Sequence, residues 1–165
     1  MIRMFRAVPI LAATVVLLLS SSLVAAQTEI TYKAMVKETF GRSSAPSGVG
    51  VVQGYGLVTE VFEFLGETPT GDPQCPVTTT GLTTLTFADG STLTTLDTQT
   101  RCTPGASRGA PGSSVSFGNP AKWSGSWVVD SGTGIFEGAT GSGTLTVSEG
   151  GDTLMIQYQG TLTLP

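Results

Sequence analysis

The chain has 165 residues, 39% of them hydrophobic, with a formal net charge of −4 and no histidine. The missing histidine excludes Ser-His-Asp and Cys-His catalysis and removes the commonest metal ligand. Two cysteines are too few for a structural zinc site, so no metal and no cofactor is expected. Beyond Arg3 and Arg6 the basic residues (Lys33, Lys37, Arg42, Arg101, Arg108 and Lys122) are scattered, without the basic surface that neutralises phosphates, which excludes a nucleic-acid partner.

Residues 1–26 read as a signal peptide. Arg3 and Arg6 form a positive n-region, an apolar run follows, and Val24-Ala25-Ala26 offers small residues for cleavage. An uncleaved anchor is the competing reading, because the run approaches the roughly 20 residues that span a bilayer. Pro9, the Ser20–Ser22 cluster and the Val-Ala-Ala ending favour cleavage, and no cysteine follows to carry a lipid. The expectation is an exported protein, extracellular or periplasmic, with no membrane attachment after cleavage. Residues 27–165 then form one domain large enough for a sizeable core.

No window of this domain spaces apolar residues as a helix does; alternation with period two recurs instead. In "EITYKAMVKET", Ile30, Tyr32, Ala34 and Val36 share one face, and Thr31, Lys33, Met35 and Lys37 the other. A loop "GRSSAPSG" follows, then the strand "GLVTEVFEFLG", the Pro/Gly-rich "ETPTGDPQCP", and a hairpin "LTTLTFADGSTLTTLDT" turning at Asp89-Gly90. A Pro/Gly/Ser segment, 103–120, leads into "AKWSGSWVVD". The stretch "GTGIFEGATGSG" comes next, then a hairpin turning at Gly150-Gly151. In the closing "TLMIQYQGTLTL", Leu154, Ile156, Tyr158, Leu162 and Leu164 fall on one face, interrupted by Gly160. Seven or eight strands at near-regular spacing predict an antiparallel barrel or sandwich.

An even cysteine count in an exported chain reads as a disulfide, with a free thiol as the alternative. Pairing Ala88 with Ser91 around the turn sets Cys102 opposite Val77, two residues from Cys75. A bridge is then within reach, closing the open end of the hairpin for about 2–4 kcal/mol.

The segment "GSWVVDSGTGIFEGATGSGTLTV" resembles the signature of the allene oxide cyclase and dirigent superfamily. There a strand runs into a Gly-Ser/Thr-Gly-Ile/Lys-Phe-x-Gly turn and returns as the next strand. Gly132, Thr133, Gly134, Ile135, Phe136, Glu137 and Gly138 match it, and "LMIQYQGTLTL" takes the place of the family's last strand. The resemblance covers residues 119–164 and implies an all-β fold, an eight-stranded antiparallel β-barrel. It also implies homo-oligomers, either dimers or trimers. On the residues' own terms the glycines serve tight reversal and barrel corners, with Phe136 plugging one end. A phosphate-cradling loop would need a helix after it, and "SGTLTVSE" is a strand.

A barrel of this size is either filled or holds one small ligand. Candidate lining residues are Tyr32, Val36, Phe62 or Val61, Trp123, Trp127, Leu145, Ile156 and Tyr158. Carboxylates are the only acid–base groups. Glu38 continues the inward face of the first strand, so it is the candidate catalytic residue, its pKa raised by desolvation. The resembling cyclases carry a Glu late on the first strand, then an Asn and a Ser-Pro; here Phe40 replaces the Asn, and Ala45 separates Ser44 from Pro46. Glu60 and Glu63 lie on opposite faces of their strand, so one of them also faces in.

Three readings follow. The first is a barrel that binds a small apolar molecule and guides its cyclisation or isomerisation by enclosure, without a cofactor. The second is a non-enzymatic carrier with the same cavity. The third is an envelope protein with a filled barrel and a Thr-rich contact surface.

Overall fold

A computed structural model describes residues 27–39, 46–102, 122–150 and 153–165. The leader assigned to residues 1–26 lies outside the described residues, as do Phe40 to Ala45. The chain folds as a closed antiparallel barrel of eight strands in sequence order. These are β1 (Thr28–Thr39), β2 (Ser47–Val52), β3 (Gly56–Pro69), β4 (Val77–Phe87), β5 (Thr92–Cys102), β6 (Lys122–Gly132), β7 (Thr140–Gly150) and β8 (Thr153–Leu164). Closure comes from β8, which pairs with β1 along its whole length, from Thr28↔Leu164 to Thr39↔Thr153. That pairing removes both sheet edges and decides for a barrel over a sandwich.

Alternation is what makes these segments strands. Tyr32, Ala34, Val36 and Glu38 are buried on β1 while their neighbours are exposed, and Leu154, Ile156, Tyr158 and Leu162 are buried on β8. β2 is the strand the sequence pattern does not announce. Its valines Val49 and Val51 face solvent while Gly48 and Gly50 face inward, so its apolar alternation runs opposite to its burial.

One end of the barrel is plugged by aromatic rings. Between β6 and β7 the chain makes a short 3₁₀ turn, Gly134–Phe136, with positive φ at Gly134 (61°) and Gly138 (73°). The turn carries Phe136 into the interior with no exposed surface, its ring 4.5 Å from Phe87 and 5.2 Å from Tyr55. The glycine-rich stretch is therefore a strand–turn–strand corner, as the sequence pattern predicts. Midway along the barrel, Trp127 lies across the paired glycines Gly143 and Gly160. A Cβ on either would come within 2.7 Å or 2.6 Å of the indole. Those bare backbones are what admit so large a side chain; Trp127 then donates to the Thr144 carbonyl (3.2 Å) and meets Tyr32 edge-on at 5.0 Å.

Cys75 and Cys102 are joined by a disulfide, which agrees with a non-reducing environment. The register differs from the sequence expectation by one residue: Arg101, not Cys102, stands opposite Val77. The hairpin turns through three residues, Ala88 to Gly90, with Phe87 bonded to Ser91 and Gly90 at φ 85°. A three-residue loop with glycine in the left-handed position advances the pairing by one. No helix among the described residues is long and apolar enough to cross a membrane, which says nothing of membrane-crossing strands.

Candidate functional site

At the end opposite Phe136, the interior turns from apolar to acidic. Glu38 is the last inward residue of β1, and Glu60 occupies the matching inward position on β3. Both stand opposite Gly48 of the intervening strand, in the pairs Glu38↔Gly48 and Gly48↔Glu60. A Cβ on Gly48 would lie 2.7 Å from Glu60 Oε2. The missing side chain is thus the gap through which Glu60 reaches Glu38.

The two carboxyls are 3% and 1% exposed and lie close enough for each to shift the other's titration. Among the described residues no donor reaches Glu38 Oε1 or either oxygen of Glu60. Two buried carboxyls side by side without donors resist ionising together, so the pair favours keeping a proton. Burial pushes both groups up, opposed at Glu38 by the Glu60 carboxyl and reinforced at Glu60 by the Glu38 charge. Glu38 rises from 4.5 to about 7 and Glu60 to about 9.

A third carboxyl lies deeper. Asp97 on β5 is 1% exposed and accepts three hydroxyl hydrogen bonds: Thr83 at 2.6 Å and Tyr158 at 3.0 Å on Oδ2, and Thr95 at 2.7 Å on Oδ1. Burial raises its pKa, while these three donors pull it back. Tyr32 and Tyr158 are held in their phenol form, first by burial and then by the charges of Asp97 and Glu60. The five groups therefore share one field inside the barrel. The lysines among the described residues are all exposed, and Arg101 sits at the rim, 3.3 Å from Glu149 and with its guanidinium 5.3 Å from the Trp123 ring centre.

The structure brings together most of the residues singled out from the sequence. Tyr32, Val36, Phe62, Trp127, Leu145, Ile156 and Tyr158 all face inward, and Trp123 is partly buried. Val61 does not; it is 52% exposed on the outer wall, because it alternates with Glu60 and Phe62. Of the two glutamates left open on β3, Glu60 faces in and Glu63 faces out. Sequence reasoning missed Asp97 with its hydroxyl partners Thr83 and Thr95. In "TLTTLDTQT" a leucine falls on each face, so alternation gives no inward side; only the pairing with β4 does. Among the described residues, no cluster of three or more His, Cys, Asp or Glu could hold a metal ion.

Chemically, the arrangement offers two buried carboxyls whose pKa values are both raised, a pair able to hold a proton and hand it on. Comparisons with protein-family models, with curated proteins and with solved structures find no match for this chain.

Proposed function

We propose that the protein is an exported barrel that takes a small, largely apolar molecule at its acidic end and moves a proton on it, an isomerase or cyclase without a cofactor. The observation that carries this reading is the Glu38–Glu60 pair. Burying two carboxyls without external donors is costly, and a barrel that needed only a core would fill these positions with aliphatic side chains. Raised, mutually displaced titrations suit proton transfer near neutral pH, with Glu38 accepting and Glu60 donating. Tyr32, Val36, Phe62, Trp127 and Tyr158 would supply the apolar surface around the reacting molecule, and enclosure would restrain it for ring closure. The allene oxide cyclase and dirigent resemblance points the same way.

The test is native mass spectrometry of the protein as exported. The expected result is a mass above that of the disulfide-bonded chain, released as a small organic molecule. Incubated in D₂O, wild type should exchange a proton of that molecule, and Glu38→Gln should not. A molecule that binds but exchanges equally with both proteins makes the protein a carrier. A bare chain with no retained molecule removes both.

One observation favours a second reading, a filled barrel acting through its exterior. Trp127, Phe136, Leu93 and Leu162 have no exposed surface, so the interior from its middle to the plugged end is closely packed.

A further inference from the structure

The outer wall is not uniform. On β4 and β5 it is built of threonine pairs, with Thr78 2.9 Å from Thr100 and Thr84 3.1 Å from Thr94. Across β1, β2 and β3 it carries a cluster of aliphatic side chains among threonines and charged residues. Met35, Val51 and Leu57 form one cross-strand row and are 49%, 51% and 72% exposed. Val49, 63% exposed, stands in the next row between Lys37 and Thr59, and Val61 lies beyond it opposite Ser47. An open groove of about 530 Å³ borders this strip on the β8 side, with Lys33, Met35, Gln157 and Gln159 along it. Isolated surface hydrophobes need no explanation, but a contiguous strip over three strands marks a contact surface.

We propose that this strip is where a second copy of the chain docks, as a twofold dimer centred on Val49. The charges at its two ends select the occupant. Lys33 lies four residues before Lys37, the β1 partner of Val49; Glu63 lies four residues after Thr59, its β3 partner. The two charges therefore sit on one diagonal of the wall, on opposite sides of Val49. A twofold axis in the contact plane, through Val49 and perpendicular to that diagonal, exchanges its ends. It lays Lys33 of one copy over Glu63 of the other, twice, while Val49 meets Val49 and Val51 meets Val61. A patch that is its own complement in this way is what an isologous interface requires. Lys37 falls beside the axis, and its four-carbon stem lets the two ammonium groups diverge while covering apolar surface.

Sedimentation velocity on the exported, disulfide-bonded protein over a concentration series tests this. The expected result is a reversible monomer–dimer equilibrium. Val49→Asp weakens it at least about tenfold in Kd. Lys33→Glu and Glu63→Lys each weaken it several-fold, and the double reversal restores it to within about twofold of wild type. All three positions point outward, so circular dichroism should report an unchanged fold. Four association outcomes would overturn the proposal. They are a monomer throughout, a trimer, association indifferent to Val49→Asp, and single reversals that the double fails to rescue. Val49-dependent binding to phosphatidylcholine vesicles by a monomeric chain would assign the strip to a lipid surface and overturn it equally.

Discussion

Glu38 and Glu60 flank the bare backbone of Gly48, both buried, with no donor in reach of Glu38 Oε1 or of either Glu60 oxygen among the described residues. Their raised pKa values couple folding to pH. Both groups hold protons more tightly in the folded chain than at their ordinary value of 4.5, so unfolding releases protons above that value. The stabilisation is therefore complete below about pH 4.5. It is lost as pH rises through about 7 for Glu38 and about 9 for Glu60, and the curve levels beyond. Asp89, held low by its bonds from Ser91, acts in the opposite sense but only under acid conditions. Urea unfolding at pH 5, 7 and 9 should show stability falling, with a slope of up to about 1.4 kcal/mol per pH unit for each group. Glu60→Gln should flatten the fall between pH 7 and 9. A flat wild-type profile would mean that the pair is already ionised at neutrality.

The gap at Gly48 makes a second, sharper demand. In Gly48→Ala the new methyl would sit 2.7 Å from both Glu60 Oε2 and the Lys37 carbonyl. Neither the backbone nor the confined carboxyl can move far, so a loss of about 1–3 kcal/mol is expected at pH 5. Gly54→Ala offers a contrast: its φ of 85° makes it strained, but no atom lies within 4 Å. Only the Gly48 variant should also change the pH dependence, because only it separates the two carboxyls.

Deeper in the barrel, Tyr158→Phe removes the hydroxyl that reaches Asp97 from β8. Asp97 would lose one of the three bonds that hold its pKa down, and a buried acceptor would be left short of a donor. The expected destabilisation is about 1–3 kcal/mol, since the phenyl ring is kept and only the bond is lost. A change below about 0.5 kcal/mol in urea unfolding would show that water replaces the hydroxyl.

How much of this was legible in the sequence depends on which side of the chain carries the signal. β1 and β8 alternate cleanly, and they gave Tyr32, Val36, Glu38, Ile156 and Tyr158 as inward residues without error. The Phe136 plug was readable from its glycine-rich turn. β2 was not, because its glycines face in and its valines face out; the same inversion that hides the strand creates the gap between the carboxyls and the exposed strip. Asp97 was hidden for a different reason. In a strand made mostly of threonine, which serves either face equally well, burial is decided by pairing partners far away in sequence. Gly48, too, gains meaning only once Glu38 and Glu60 are known to flank it.

The Cys75–Cys102 bridge spans 27 residues and ties the open end of the β4–β5 hairpin at the acidic rim. Closing a loop of that length in the unfolded chain contributes about 3–4 kcal/mol by chain entropy. Reduction, or Cys75→Ala with Cys102→Ala, should lower stability by about that amount. Arg101 and Trp123 sit beside Cys102 in register. Local opening should therefore appear first at the rim, as faster amide exchange at Val77, Arg101 and Trp123. Exchange at Trp127 and Leu162, whose protection comes from packing nearer the plugged end, should quicken only as far as global stability falls. Uniform acceleration across both groups would mean that the bridge holds the whole barrel through the unfolded state alone, with no local role at the acidic end.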